Sequence, residues 1–300
     1  MVAKLLALGE VLWDVFPDGP RFGGAPANFA CAVAGLGSPG TGVALASAVG
    51  RDALGADAVR NLRARGVETG LIAESDRPTG RVDVTLDSEG RASYTFLDDA
   101  AWDHVEWSDG LDSAARAAEV VCFGTLAQRS EISRGAIRKA IAVAPADCLK
   151  ILDINLRPPY WSREVVLQSL PLANVLKLND EELPILAGLL ELEGSDEIVL
   201  RAIMERYSYR AAALTRGANG SLLLNARGER SELPAVAVTV VDTVGAGDTF
   251  TAALALKLSH GLPLAQLHGW ASEVSAFVCT RAGGTPLFPE HLRLPAGPKP

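Results

Sequence analysis

Short apolar runs alternate with helix-like patterns along most of this chain, and this alternation limits the possible folds more than any other feature of the sequence. Six runs have the length and composition of buried strands, at residues 5–8, 43–49, 120–123, 149–154, 175–178 and 211–215. Strands of this kind, separated by helices, are typical of a parallel sheet that is covered on both faces. The sequence therefore predicts an α/β fold with a central, mostly parallel sheet.

Two of the intervening helices carry clear end signals. Asp52 can cap a helix that runs through residues 58–62 and stops at Gly66. Ser130 can start a second helix over residues 132–143, which Pro145 ends. Both helices are therefore predicted with their boundaries.

Residues 79–96 depart from the alternation of strands and helices. Apolar side chains alternate with polar ones on both sides of a turn at residues 87–90, at Val82, Val84, Leu86, Tyr94 and Phe96. This pattern predicts an antiparallel hairpin. The hairpin can extend an edge of the main sheet, or it can stand apart as a lid over a cleft or a contact with a second subunit.

Composition restricts the function. A chain of 300 residues with 48% hydrophobic content can bury the core of one large α/β domain, with or without an appendage. The formal net charge of -8 and the lack of a Lys/Arg-rich run argue against a nucleic-acid partner and favour a small-molecule substrate. The apolar stretch before Glu10 and Asp14 is too short for the core of a signal peptide or a membrane span, which predicts a cytoplasmic protein without membrane partners.

Several common site types do not fit the sequence. The four cysteines are far apart and lack a C-x-x-C spacing, so we expect them to be reduced core residues. Residues 35–40 match G-x-G-x-x-G, but Pro39 lies inside the match and no helix follows it. The chain has no P-loop motif, and its histidines are too dispersed for a zinc site.

The segment 241–250 has the composition of a phosphate site at a helix start. Gly245 and Gly247 let the backbone approach an anion, and the first N–H groups of a helix have no partner within it. A carboxylate at Asp248 would repel a phosphate unless it has a task, such as accepting a proton from an attacking hydroxyl. The simpler alternative is an acidic first turn of an ordinary helix.

A second glycine turn precedes a helix at residues 23–28. Pro26 suits the first turn, and the Asn28 amide needs a polar partner within an apolar helix. The segment can be a capping turn, or a rigid wall where glycine admits a ligand and Asn28 binds a hydroxyl. Asp14, at the end of the predicted first strand, is expected at the carboxyl edge of the sheet, where it can bind sugar hydroxyls.

Two further polar groups follow predicted strands. Asp153, Asn155 and Arg157 occupy alternate positions, which predicts one shared face, and Arg157 can bind a phosphate through two hydrogen bonds. Asn179 and Glu182 follow the strand at residues 175–178, where a helix cap is the simplest interpretation and a hydrated Mg²⁺ the alternative.

The two glycine segments together closely resemble the paired signatures of the ribokinase-like, or PfkB, family of carbohydrate kinases. Further segments that fit the family occur in its order, at Gly50-Arg51-Asp52-x-x-Gly55, Asp153-x-Asn155-x-Arg157, Asn179-x-x-Glu182 and Thr215-Arg216-Gly217-x-x-Gly220. The resemblance implies one ribokinase-like domain over residues 1–300, built as a three-layer sandwich. It also implies a small β lid from about 10–20 and 70–105, through which a homodimer can form.

The resemblance implies a role for each group of site residues. Asp248 would be the base, with the N–H groups of Gly245, Ala246 and Gly247 as an anion hole. The sugar would be bound by Asp14, Gly23, Gly24, Asn28 and Arg157. ATP, the co-substrate, would be bound near Asn179, Glu182, Thr215, Gly217, Gly220, Ser272 and Ala276, with the helix 271–279 lining the adenine. Glu182 would hold Mg²⁺, directly or through water, and a monovalent cation such as K⁺ would lie near Asp242, Val244, Val278, Arg281 and Gly283.

Residues 9–17 and the Asp-x-Asn-x-Arg segment most resemble those of fructokinases. The second segment also fits 2-keto-3-deoxygluconate kinases, whose substrate carboxylate needs a cation such as Arg77, Arg81, Arg91 or Arg157. A phosphosugar is disfavoured because the lid region is acidic, with Asp83, Asp87, Glu89, Asp98, Asp99 and Asp103. We therefore expect an ATP-dependent kinase acting on a primary hydroxyl of a ketohexose, D-fructose to fructose 6-phosphate. The alternatives are a 2-keto-3-deoxygluconate kinase, another PfkB sugar or nucleoside kinase, and a non-catalytic sugar- or nucleotide-binding regulator.

Overall fold

The computed structural model describes residues 4–16, 18–38, 40–86, 92–259 and 263–295. The strands are β1 (Leu5–Leu8), β2 (Leu12–Phe16), β3 (Gly19–Gly23), β4 (Val43–Gly50), β5 (Ile72–Ser75), β6 (Gly80–Leu86), β7 (Ala92–Phe96), β8 (Val120–Phe123), β9 (Leu149–Asp153), β10 (Val175–Asn179), β11 (Ala211–Thr215), β12 (Ser221–Asn225) and β13 (Arg230–Leu233). The helices are α1 (Ala25–Leu36), α2 (Ala53–Ala64), α3 (Asp109–Ala117), α4 (Glu131–Val143), α5 (Arg163–Ser169), α6 (Glu182–Leu190), α7 (Asp196–Tyr207), α8 (Ala246–Ser259) and α9 (Leu264–Cys279).

The large sheet has nine strands in the order β13-β12-β11-β10-β9-β8-β1-β4-β5. The strands from β11 to β5 in this order are parallel, and β12 and β13 extend the sheet in antiparallel fashion. The six predicted strands are all present in it, as β1, β4, β8, β9, β10 and β11. The prediction of a mostly parallel sheet is confirmed.

The sheet separates two hydrophobic cores. In β1, Leu6 and Leu8 face one core, and Leu5 and Ala7 face the other. Helices α3 to α7 contribute to the first core, and α1, α2, α8 and α9 contribute to the second. The three-layer arrangement is confirmed, because side chains that alternate along a buried strand must be covered on both sides.

A second sheet of four strands has the order β3-β2-β6-β7. The predicted hairpin is therefore separate from the large sheet, and its predicted turn at residues 87–90 lies outside the described residues. The predicted lid ranges, 10–20 and 70–105, also include β5, which pairs with β4 in the large sheet, and Trp102, which is buried in the first core. The small sheet itself is limited to strands within residues 12–23 and 80–96.

The position expected for Asp14 is wrong. The first strand of the large sheet ends at Leu8, and the chain leaves that sheet at Gly9, whose φ of 139° suits glycine. Asp14 instead lies in the middle of β2, paired with Arg21 of β3 and Val82 of β6. Apolar residues lie on both sides of Gly9, so the sequence gives no local signal that the chain leaves the large sheet and enters the small one.

The two predicted helix starts have different outcomes. Asp52 caps α2 by accepting a hydrogen bond from the Gly55 N–H at 2.8 Å, and the chain turns after the helix at Gly66, with φ 84°. Helix α4 begins after Ser130, as expected, but the Ser130 hydroxyl does not cap it. That hydroxyl instead donates to the Asp103 carbonyl oxygen at 2.5 Å.

The cysteines and the helix lengths bear on two further expectations. Cys31, Cys122 and Cys148 are buried and Cys279 is partly buried, and all four are free. Among the residues that the structure describes, no helix has both the length and the apolar character that crossing a membrane requires.

Candidate active site

Helices α1 and α8 pack against each other and bring the two glycine segments together. The Asn28 side-chain N–H donates to Asp248 Oδ2 at 2.8 Å, across 220 residues of sequence. Asn28 is only 4% exposed, and its Oδ1 is buried without a hydrogen-bond partner in the described chain. Asn28 therefore connects the two halves of the site and keeps one acceptor free.

The turn before α1 requires glycine because the chain approaches itself closely. Gly24 has φ 105°, and a Cβ there would lie 2.7 Å from the Glu10 carbonyl oxygen. A Cβ on Gly23 would lie 3.0 Å from Asp14 Oδ2. The start of α1 is thus packed against both the chain after β1 and the small sheet, which places Asp14 beside the glycine turn.

Helix α8 begins at Ala246, after a turn that only glycine can make. Gly245 has φ 77°, and a Cβ there would lie 2.5 Å from Gly284 Cα. The Ala246 N–H makes a long bond of 3.3 Å to the Thr243 carbonyl oxygen. Within the described ranges, the N–H groups of Gly245 and Gly247 have no acceptor, so the helix start presents free donors, as an anion hole requires.

Asp242 organises the loops beside this helix start. Its Oδ1 accepts from the Val244 N–H at 3.0 Å, and its Oδ2 accepts from the Gly283 N–H at 2.9 Å. The Val278 carbonyl oxygen accepts from the Arg281 N–H at 2.9 Å. Asp242, Val244 and Gly283 are therefore neighbours, and the monovalent-cation site stays a prediction.

Several carboxyl groups at this site have raised pKa values. Burial raises the pKa of Asp248 to about 6, with a contribution from the negative charge of Asp153. Burial also raises the pKa of Glu10 to about 7, and that of Asp14 to about 6. A carboxylate that titrates near neutral pH can exchange a proton with a hydroxyl more readily than an exposed one.

Arg157 is a cation that acts on all three of these carboxyl groups. Its positive charge lowers the pKa values of Glu10, Asp14 and Asp248, in opposition to burial. Its own hydrogen bond is a long one, 3.4 Å to the Leu156 carbonyl oxygen. The guanidinium group therefore lies among carboxylates, and no residue that the structure describes pairs with it through two hydrogen bonds.

The shared face predicted for Asp153, Asn155 and Arg157 is wrong. Strand β9 ends at Asp153, and Asn155 has φ 41°, so the alternation of a strand does not continue beyond that point. Asp153 and Asn155 nonetheless line one pocket, and Arg157 is not among its lining residues. The pocket has a volume of about 20 Å³, enough for about one water molecule, and its polar lining is Glu10, Thr125, Asp153, Asn155, Asp248 and Thr251.

The side chains of Asn179 and Glu182 accept hydrogen bonds from backbone N–H groups near the carboxyl ends of β9 and β10. Asn179 Oδ1 accepts from the N–H groups of Glu181 and Glu182, as in the simple cap interpretation. The two Glu182 oxygens accept from the N–H groups of Leu156 and Asn179, each at 2.8 Å, and Glu182 is 3% exposed. No group of three potential metal ligands occurs among the described residues. A site without a cluster of protein ligands suits Mg²⁺, which keeps several waters and binds substrate phosphates. Glu182 would then contact the waters of the ion, not the ion itself.

The remaining predicted nucleotide residues lie on two elements. Thr215 ends β11, and Gly217 and Gly220 form a tight turn with φ 51° and 85° before β12. Ser272 and Ala276 lie on α9, which packs against α8, β12 and β13. The Ser272 hydroxyl is buried and has no hydrogen-bond partner in the described chain. No hydrogen bond within the described chain joins these residues to Asp248, and their role in binding ATP stays a prediction.

Three buried polar residues at this site, Glu10, Lys177 and Thr251, are not among those predicted from the sequence. Lys177 Nζ is 3.1 Å from Asp153 Oδ1, and the Thr251 hydroxyl donates to Asp153 Oδ2 at 2.7 Å. Glu10 lies just after β1 and lines the pocket with Asp248. A lysine within an apolar strand is an available signal, because an unpaired buried charge is costly. The roles of Glu10 and Thr251 depend on tertiary contacts.

Comparison with known proteins agrees with this geometry. Residues 17–291 match the pfkB family of carbohydrate kinases. The chain is 30% identical over 283 residues to fructokinase from Escherichia coli, covering 86% of this chain and 85% of that protein. Its fold matches the crystal structure of fructokinase with bound ATP from Xylella fastidiosa, with TM-score 0.83, 23% identity and coverage of 97% and 95% of the two chains.

A third comparison concerns a solved structure that includes a metal. The crystal structure of a putative ribokinase II from Escherichia coli, in complex with ATP and Mg²⁺, has TM-score 0.80 and 23% identity, and the match covers 94% of each chain. Together with the paired glycine segments and the fold, these matches establish the family. The chain belongs to the pfkB family of carbohydrate kinases, and it is therefore a sugar phosphotransferase.

Proposed function

We propose that this protein is an ATP-dependent kinase that phosphorylates a primary hydroxyl of a ketohexose, converting D-fructose to fructose 6-phosphate. The observation that carries the proposal is the hydrogen bond of 2.8 Å from Asn28 to Asp248 at the start of α8. This contact supports the proposal because Asn28, the candidate ligand of a sugar hydroxyl, and Asp248, the candidate base, meet at the helix start. The fructokinases among the relatives support fructose as the sugar.

Asp248 is the proposed base for the attacking hydroxyl. Its pKa of about 6 leaves it ionised at neutral pH, and its Oδ2 is already oriented by Asn28. The N–H groups of Gly245 and Gly247, which have no acceptor in the described chain, would face the charge that develops on the transferring phosphoryl group, together with that of Ala246. The gain from general-base catalysis would be about 10²–10⁴-fold.

The sugar is proposed to bind between the small sheet and α1. Asn28 Oδ1 is a buried acceptor without a partner in the described chain, and Asp14 lies against Gly23, so both can accept from sugar hydroxyls. Arg157 provides the neighbouring donors. The small sheet, which carries Asp14, would act as the lid and would be the contact surface of a homodimer.

ATP is proposed to bind along the turn at Gly217 and Gly220 and the face of α9 that carries Ser272 and Ala276. The unpartnered hydroxyl of Ser272 is a donor available for the nucleotide. Glu182 would hold the hydration shell of Mg²⁺, an ion that neutralises charge on the ATP phosphates when bound. K⁺ beside Asp242 would support the anion hole from the loop side.

The second candidate function is phosphorylation of 2-keto-3-deoxygluconate. Arg157 favours it, because its guanidinium group acts on the carboxyl groups of the site, has no bidentate partner among the described residues, and can pair with a substrate carboxylate. A non-catalytic regulator is less well supported, because Asp248 and both glycines of the anion hole are intact.

A coupled assay of ADP release tests the proposal. Fructose, 2-keto-3-deoxygluconate, ribose and a nucleoside would each be supplied with ATP and Mg²⁺. We expect the highest kcat/KM with fructose. The highest kcat/KM with the keto acid would favour the second candidate, and binding of a sugar without ADP release would favour a regulator.

A further inference from the structure

Lys177 is a buried cation for which the proposed function has no role so far. It lies in the middle of β10, on the same face as Val175, and this face is covered by α8. Lys177 is 6% exposed, and its Nζ is 3.1 Å from Asp153 Oδ1. Because Thr251 of α8 donates to the other oxygen of Asp153, the lysine and the helix hold the same carboxylate.

The lysine also contacts the first turn of α8. A Cβ on Gly247 would lie 2.9 Å from Lys177 Nζ. The φ of Gly247 is not among the positive values, so the backbone conformation does not require glycine there. The ammonium group therefore lies against the first turn of α8, one residue from Asp248, and a side chain at Gly247 would displace it.

The charges around Asp248 explain why a cation is needed. Its side-chain hydrogen bond comes from Asn28, which is neutral. The titratable and charged groups that act on it or face it across the packed elements are Glu10, Cys122, Asp153, Arg157 and Lys177. Two of these are carboxyl groups, and burial disfavours the ionised form of Asp248.

Lys177 itself remains charged. Burial disfavours its ammonium form, but Asp153, Glu182 and Asp248 outweigh burial, and the pKa of Lys177 is raised above its usual value. The three carboxylates come from β9, α6 and α8, so one ammonium group is shared by three elements of the site.

We propose that Lys177 is a positioning residue of the phosphoryl-transfer site: its ammonium group fixes the first turn of α8 through Asp153 and Gly247, and its charge keeps the buried Asp248 carboxylate ionised. The catalytic consequence rests on the proposed function. The charge relationship itself does not, and this difference allows the two to be tested separately.

The test follows the titration of Asp248 directly. Aspartate carboxyl groups would be isotope-labelled and titrated by NMR in the absence of substrate, with Asp248→Asn to assign the signal. We expect Lys177→Met to raise the midpoint of Asp248 by about one unit and Asp153→Asn to lower it. Thr251→Val, which removes a hydrogen bond to Asp153 without changing a charge, should leave the midpoint within about 0.3 units.

A midpoint that rises in Lys177→Met supports the proposal, and a midpoint that stays in place in that variant overturns it, because Asp153→Asn reports only the repulsion from Asp153. Where Lys177→Met does not fold, Lys177→Gln is titrated in the same way and decides between the same two outcomes. In the kinetic arm, the loss of kcat/KM in Lys177→Met should be about fivefold larger at pH 6 than at pH 8, as a one-unit rise from a pKa of about 6 requires. Structural damage alone would reduce the rate equally at both pH values. A wild-type protein that phosphorylates no sugar would refute the proposed function, while the NMR result would still decide the role of Lys177.

Discussion

Asn28 of α1 donates a hydrogen bond of 2.8 Å to Asp248 of α8, although 220 residues separate them in the sequence. This contact orients the proposed base and lowers its pKa against the effect of burial. Because of this contact, the two glycine segments form one site. Each segment alone is compatible with an ordinary helix start.

Replacing Asn28 with Ala should therefore move the acid limb of the kcat/KM profile to higher pH. Asp248 must be ionised to accept a proton, and its pKa of about 6 sets the pH below which activity falls. Without the Asn28 amide, the pKa of Asp248 rises, and the loss of activity therefore begins at a higher pH. At pH 6.5 we expect kcat/KM to fall about 10- to 100-fold. Gln168→Ala, which removes an exposed amide from α5, should leave the profile unchanged. An unchanged limb in Asn28→Ala would contradict the assigned contact.

Asp52 should be needed both for stability and for the position of the small sheet. Its carboxylate caps α2 and also accepts from the Thr79 N–H at 2.8 Å and the Thr79 hydroxyl at 2.7 Å, just before β6. Asp52→Ala should lower the free energy of unfolding by about 1–3 kcal/mol and raise KM for the sugar severalfold.

Ser108→Ala is the control, because it removes the cap of α3 without a link to the small sheet. It should lower stability by about 1 kcal/mol and leave KM unchanged. Equal KM values in the two variants would argue against the link.

Gly245→Ala should disrupt the start of α8. A methyl group would lie 2.5 Å from Gly284 Cα at a φ of 77°, so the turn must shift and the N–H donors lose their alignment. We expect kcat to fall by at least about 100-fold, the size of effect seen when a preorganised donor is lost. Gly188→Ala is the matched control, because it lies in α6 with no atom within 4 Å of the added Cβ. That change should keep kcat and stabilise the helix by about 0.5–1 kcal/mol.

His268 should make the protein less stable in acid. Its ring is buried between the hydroxyl groups of Ser221 and Ser231, at 2.7 and 2.8 Å, and burial lowers its pKa to about 4. A histidine whose pKa is lower in the folded state stabilises the fold above its unfolded pKa of about 6.5, and this contribution is lost as pH falls towards 4. The loss amounts to about 2–3 kcal/mol.

Thermal unfolding of wild type and His268→Gln at pH 7.5 and 4.5 measures this contribution. The difference in Tm between the two proteins should shrink at pH 4.5. His104→Gln, at a partly exposed ring that pairs with Asp99, should not change the pH dependence in this way. A wild-type advantage that persists undiminished at pH 4.5 would show that His268 does not titrate as described.

The sequence predicts the parts of this fold that depend on local pattern. The six predicted strands, the Asp52 cap and the hairpin depend on periodicity and on end signals, which are visible in a single chain. The separation of the hairpin from the large sheet does not follow from the pattern, and the structure decides it. Asp14 was misplaced because the passage between two sheets at Gly9 has no strong local signal. Lys177 was missed because its role depends on which carboxylates surround it. Ser130 shows the same limit, since tertiary contact with Asp103 redirects its hydroxyl away from the helix start.

The most direct test of the account is sugar-dependent ADP release by Asp248→Asn, measured beside wild type at matched thermal stability. The amide is nearly isosteric and can still accept the Asn28 hydrogen bond, but it cannot take a proton from the sugar hydroxyl. We predict a loss of kcat of about 10²–10⁴-fold with the Tm retained. Turnover comparable to wild type in a folded Asp248→Asn protein would contradict the assignment of Asp248 as the base.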